Sequence, residues 1–152
     1  MRRIGKICVG ATMLAALALT PALAQNPQNV QIAQVKTATG DAVIVRGGQR
    51  LPARPGDAVY QSDVIETGAS GTIGITFIDN TVFSTGPGSQ VALQQFSFDS
   101  SNFKGEMLVD MRKGSLTVVS GDITRANPGA MKIKTPTSVL GVRGTTFAIQ
   151  VY

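Results

Sequence analysis

Thr72-Ile73-Gly74-Ile75-Thr76-Phe77 decides the fold class. Ile73, Ile75 and Phe77 fall on one side of an extended chain and Thr72, Gly74 and Thr76 on the other. That is the period-two pattern of a half-buried β-strand. Gly68 and Gly71 punctuate the chain before it. Asp79-Asn80-Thr81 follows as a tight turn, because Asp and Asn side chains bond local backbone amides and tolerate left-handed geometry. Val82-Phe83 then resumes the extended pattern.

The same grammar extends outward in both directions. Upstream, Val43 and Val45 point one way with Ile44 and Arg46 the other, and Gly47-Gly48 turns into Gln49-Arg50-Leu51, a hairpin. Gly56-Asp57 opens a second unit containing Val59, Asp63, Ile65 and Thr67. Downstream, Gly86-Pro87-Gly88-Ser89 turns into Val91 and Leu93, and Phe96 with Phe98 continues the alternation after the adjacent Gln94-Gln95. The polar stretch from Asp99 to Gly105 reads as an exposed loop with Phe103 tucked back. Met107, Val109 and Met111 form the next inward set, and Lys113-Gly114 is read as a turn into Leu116 and Val118. Residues 120–129 form a connection rich in turn formers, after which Met131 and Ile133 alternate with outward Lys132 and Lys134. No amphipathic helix stands out. About ten short strands with closely spaced turns predict an all-β domain, for which sandwich-like and β-solenoid-like arrangements both stay open.

Thr135-Pro136 breaks the chain after Ile133, Gly141 and Gly144 are read as turn glycines, and Phe147, Ile149 and Val151 alternate inward as a last strand. Arg143 sits among them. Its guanidinium suits carbonyls of a neighbouring segment or a buried acid, and equally a carboxylate or phosphate on a partner. The structural role is preferred, since its neighbours are apolar residues and a turn glycine. Thr135 and Thr145 read as strand-edge and turn residues.

At the other end, Arg2, Arg3 and Lys6 precede an apolar run from Ile7 to Leu19 and then Pro21-Ala22-Leu23-Ala24. This is the order of a secretory signal peptide. As a helix the run would cover about 20 Å of the roughly 30 Å that a spanning segment must cross. The small residues at Ala22 and Ala24 place cleavage between Ala24 and Gln25. The predicted organisation is residues 1–24 signal peptide, 25–34 exposed polar leader and 35–152 one β domain, exported by a Sec-type route to the periplasm with no membrane span after cleavage. The sole cysteine, Cys8, would leave with the signal, so the mature chain would hold no disulfide and no thiolate metal site.

Removing Arg2, Arg3 and Lys6 from the 14 basic residues leaves 11 against 9 acidic ones, a net charge of +2. No basic stripe interleaved with aromatics argues for nucleic acid. The chain has no histidine, which removes imidazole chemistry, and the expected loss of Cys8 removes thiol catalysis. Asp41, Asp57 and Asp122 each follow a glycine, where Asp serves a turn more often than acid–base chemistry. Asp79-Asn80-Thr81 likewise reads as a turn in preference to a calcium loop, lacking the dense acidic ligands of such sites.

Taken in order, these marks resemble the FecR domain, named for the periplasmic part of the ferric citrate regulator. The resemblance runs through Gly40-x-x-Val43-x-Val45-x-Gly47, Leu51, Gly56-Asp57-x-Val59, Asp63-x-Ile65-x-Thr67, Gly71 and Asp79-x-Thr81. It continues through Gly114-x-Leu116-x-Val118, Ile133-x-Thr135-Pro136 and Gly141-Val142-Arg143-Gly144-Thr145-x-Phe147. It implies a β-rich periplasmic domain, coiled or solenoid-like in relatives, that regulates or binds and does not catalyse, with no cofactor or metal. Its motif residues Gly56, Asp57, Asp79, Thr81, Thr135, Pro136, Gly141, Arg143, Gly144, Thr145 and Phe147 are then structural or partner-binding. The expected function is a sensing, regulatory or adaptor module whose partner is an envelope or membrane signalling protein. A structural module that binds peptidoglycan is the alternative. Full-length regulators of this type also carry a cytoplasmic sigma-factor-binding region and a membrane helix; neither is expected here, nor direct signalling to a cytoplasmic sigma factor.

Overall fold

Met107, Val109 and Met111 are buried at odd positions, and Leu116 and Val118 at even ones, yet all five lie on a single strand, Lys104–Val119. An uninterrupted strand cannot bury both parities on one face. The phase changes at a bulge: Gln90 pairs with Lys113 and Val91 with Met111, leaving Arg112 over, and Gly114 follows at φ +90°. A β-bulge inserts one residue, bends the strand and re-aims the side chains beyond it. The expected turn at Lys113-Gly114 is therefore a bend within one long strand.

The computed structural model describes residues 30–144 and 146–152. The strands are β1 (Gln31–Thr39), β2 (Ala42–Arg46), β3 (Gln49–Pro52), β4 (Ala58–Tyr60), β5 (Val64–Thr67), β6 (Thr72–Phe77), β7 (Val82–Thr85), β8 (Gln90–Asp99), β9 (Lys104–Val119), β10 (Met131–Lys134), β11 (Val139–Gly141) and β12 (Thr146–Val151). They form a curled, half-barrel sheet in the order β3-β2-β5-β8-β9-β7-β6-β1-β4. β8 and β10 flank the first half of β9, and β7 and β12 flank its second half. All the ladders are antiparallel except β9 with β10. Antiparallel pairing of distant strands, such as β1 with β6 and β5 with β8, is not the parallel coil-on-coil stacking of a solenoid.

The curl brings the two halves of the sheet onto one core. Phe77 of β6 meets Phe83 of β7 edge-on at 4.8 Å between ring centroids and stacks on Phe96 of β8 at 5.4 Å. Such pairs contribute about 0.5–1.5 kcal/mol beyond the area they bury. Phe96 faces inward because β8 also changes phase, at Gln94, which has no partner between the Leu93–Val109 and Gln95–Leu108 pairs. The glutamine pair in the sequence marks that bulge.

Four local features differ from the sequence reading. The last four residues of the expected leader, 31–34, are already strand, because Ile32 and Ala33 bury in β1 against β6. The predicted signal peptide, the Ala24–Gln25 cleavage point and residues 25–29 lie outside the described residues. Phe103 is 51% exposed at φ +58°, at the tip of the β8–β9 hairpin, since a four-residue turn is too short to fold it back. A short helix, α1 (Asp122–Ala126), occupies the 120–129 connection, burying Ile123 and Thr124. Gly141 is a strand residue in β11, paired with Lys132; Gly144, at φ +131°, has the left-handed backbone expected of it. Among the described residues no helix is long and apolar enough to cross a membrane.

The bend in β9 has no room for a side chain. A Cβ on Gly114 would collide with the backbone and side chain of Ser89, and its φ already disfavours any L-residue. Gly114→Ala should lower unfolding stability by about 3 kcal/mol, read from the urea midpoint, whereas Gly141→Val, with open space around it, should change it by about 0.5 kcal/mol or less. Equal effects at the two sites would contradict this account of the strands.

Candidate functional site

The motif residues separate into one solvent-facing turn, one buried corner and one exposed edge. Gly56, at φ +97°, donates its N–H to the Val35 carbonyl, and the Asp57 carbonyl accepts from the Val35 N–H, so this turn is tied to β1. The Asp57 carboxylate accepts from the Arg54 N–H at 2.8 Å, which closes the turn. This is local backbone chemistry.

Asp79 and Thr81 are fully buried. The Thr81 N–H and hydroxyl donate to the two Asp79 carboxylate oxygens at 3.2 and 2.7 Å, and Asn80 between them adopts φ +66°. The Gly121 N–H donates to the Thr81 hydroxyl and the Asp122 N–H to the Asp79 carbonyl. The turn between β6 and β7 is thus riveted to the start of α1. Both carboxylate oxygens are engaged within this turn, which accounts for a buried acid here without a ligand. Among the described residues no group of three or more His, Cys, Asp or Glu could hold a metal ion.

A second buried acid was not singled out as a site from the sequence. Asp63, 1% exposed, accepts from Arg46 Nε at 2.9 Å and Nη2 at 2.7 Å, and from the Tyr60 N–H at 2.8 Å. The guanidinium also donates to the Ala58 carbonyl and lies 4.3 Å from the Tyr60 ring centroid. Bidentate contact of this kind is the strong form of an ion pair. The Asp63 hydrogen bonds hold Arg46 above its ordinary pKa, so it stays charged. The signal was available: Asp63 shares the inward phase of Ile65 and Thr67, and Arg46 shares that of Ile44, so each required a partner.

The exposed edge is the hairpin of β10 and β11. Thr135 closes it, its N–H and hydroxyl donating to the Ser138 carbonyl while the Ser138 N–H donates to the Thr135 hydroxyl. Pro136 lies in that turn, exposed. Val142 is buried and pinned on both sides, its N–H to the Met131 carbonyl and its carbonyl accepting from the Gly129 N–H. Arg143 then emerges exposed between this anchor and Gly144. Among the described residues no hydrogen bond or ion pair holds it. Thr145 lies outside the described residues. Phe147 is half-buried in β12, packed against the core with Ile149 and Val151.

Lys132, Lys134 and Arg143 are all exposed on this edge, beside Val139, 63% exposed, and Leu140, 41% exposed. The four ion pairs among the described residues, Arg46–Asp63, Arg50–Glu66, Arg112–Asp110 and Arg125–Asp122, leave all three cations out. From Ile123 to Tyr152 there is no Asp or Glu at all. That acid-free run was the overlooked signal in the sequence: it gathers cations on the β10–β11 hairpin, although β9 sets Asp110 opposite Lys134.

A family model described as FecR protein matches residues 63–152, which takes in Asp63 though not its partner Arg46, the Asp79 corner and the whole C-terminal edge. No curated protein and no solved structure matches the chain.

Breaking a buried ion pair by removing one partner typically costs about 3–5 kcal/mol, and Arg46 is 37% exposed, which discounts the figure. Asp63→Ala should lower stability by about 2–4 kcal/mol in urea unfolding. A loss below about 0.5 kcal/mol would mean that the lock contributes nothing.

Proposed function

The chain belongs to the FecR protein family, and from that premise we propose that it is an exported, periplasmic adaptor that engages an envelope or membrane signalling protein through its β10–β11 edge. FecR domains are non-catalytic, and membership carries a general role in sensing or regulation. What remains is how this chain would make contact. The cleaved signal peptide at residues 1–24, and release of the rest as a stand-alone domain, belong to the same reading.

One observation carries it: Lys132, Lys134 and Arg143 lie outside every ion pair among the described residues, with exposed Val139 directly opposite Lys134 on the same outward face. Unsatisfied surface cations raise the encounter rate with an acidic surface and fix register, and the apolar Val139 side chain beside them adds area that a contact can desolvate. The matching partner presents carboxylates around an apolar strip. Arg143 suits it best, because its planar guanidinium bonds a carboxylate through two parallel N–H groups and Val142 behind it is held in place. The motif arginine thus takes the partner-facing role.

The test is in-cell crosslinking of the exported chain with identification of what is recovered. A membrane or envelope signalling protein is expected, lost in the Lys132→Glu/Lys134→Glu/Arg143→Glu variant. Arg143→Ala alone should weaken recovery about tenfold, the scale of one charge-assisted hydrogen bond, while its melting temperature stays within about 1 °C of the parent. Recovery with peptidoglycan, unaffected by these substitutions, would replace this reading with the cell-wall one. A fall in melting temperature of several degrees for Arg143→Ala would return the residue to a structural role.

A further inference from the structure

Among the described residues four strands pair on one side only: β3, β4, β11 and β12. Open strand edges invite pairing with other chains, and proteins blunt them by shortness, charge or proline. Three of the four are blunted. β3 carries Arg50 and ends on Pro52, which has no N–H to offer, and β4 and β11 are three residues each. β12 is different. Its six residues pair with β9 from Thr146–Val119 to Val151–Gly114 without a register shift. It contains no charge and no proline. Phe147, Ile149 and Val151 point toward the core yet are only half-buried, and no strand among the described residues covers their open side.

We propose that β12 is a self-association strand: two copies of this chain pair β12 to β12, antiparallel about a two-fold axis, so that one sheet runs through both. Antiparallel partners directly opposite each other share a face. Centring the axis on Ile149 sets it against the partner's Ile149, Phe147 against the partner's Val151, and Ala148 against the partner's Gln150. Every apolar residue then meets an apolar one on the inner face and every exposed one a small or neutral one on the outer face. The strand's own alternation is symmetric about Ile149, so a second copy matches it without change. A foreign strand would need a charge or pocket to be selected, and β12 offers neither. The antiparallel sense also sends the two Arg143 side chains, which precede β12, to opposite ends of the seam, where parallel pairing would bring them together. This association is separate from partner binding at β10–β11 and would present two such edges on one particle.

The full exported chain, examined by light scattering at tens of micromolar, should show twice the monomer mass. In Ala148→Lys/Gln150→Lys the register places lysine against lysine at two points, and dimerisation should weaken at least about tenfold. Ala148→Lys/Gln150→Glu places lysine against glutamate at the same two points and should restore the dimer. Both positions are exposed, and circular dichroism with thermal melting checks that each variant folds. A monomeric parent, a dimer indifferent to the double lysine, or no restoration by the lysine–glutamate variant would each overturn the proposal.

Discussion

Where β9 bends, the Ser89 hydroxyl donates toward two carbonyls, Gly86 at 2.8 Å and Ser115 at 3.1 Å, and accepts the Ser115 N–H at 3.0 Å. Thr67 completes the node, its hydroxyl donating to the Gly86 carbonyl and accepting the Ser89 N–H. Only a residue without a Cβ fits at Gly114 beside them. This node satisfies backbone groups that a bulge would otherwise leave unpaired. It does so where the sheet changes direction, so the curl that brings Phe77 onto Phe96 depends on it. Without the bend, β9 would bury Met107, Val109 and Met111 or Leu116 and Val118, but not both sets.

That dependence explains what was legible in the residues. Strand identity was plain wherever one face is buried and one solvated, as in β6 and β10, because burial writes a period of two directly into the sequence. Turns were plain where backbone geometry demands a special residue, as at Gly47-Gly48 and Asn80. What could not be read was whether a change of phase marks a turn or a bulge. Lys113-Gly114 and Gln94-Gln95 look alike in this respect: each interrupts an alternation that resumes one residue out of step. Both proved to be bulges, since the paired strand continues past them, and that information lies in β8 and β9 together rather than in either alone. Phe103 was misplaced by a related assumption, that an aromatic in a polar stretch must find the core; a four-residue hairpin tip gives it no path back.

The two buried acids follow one rule with different partners. Asp79 is satisfied by a neighbour two residues away, and Asp63 by an arginine from another strand and a local backbone amide. Satisfying a buried carboxylate locally fixes a turn; satisfying it across strands fixes which strands can be neighbours. Arg46 reaching Asp63 ties the β2–β3 hairpin to the turn before β5, and its Ala58 contact ties both to β4. Such a lock adds little net stability over an apolar pair, yet alternative arrangements would leave a charge buried and alone. Its contribution is to specificity of the fold.

The family motif therefore describes the frame more than the function. Gly56, Asp57, Asp79, Thr81 and Thr135 all direct polar groups to nearby backbone or to each other, and in Asp79 both carboxylate oxygens are engaged. Arg143 is the motif residue with donors free among the described residues, and the frame holds it out rather than in: Val142 is pinned by two backbone hydrogen bonds and Gly144 turns the chain away. Lys132, Lys134 and Val139, near it, belong to an outward strand face where folding demands only alternation. Folding leaves their chemistry open, so selection for a partner can act there without cost to the core.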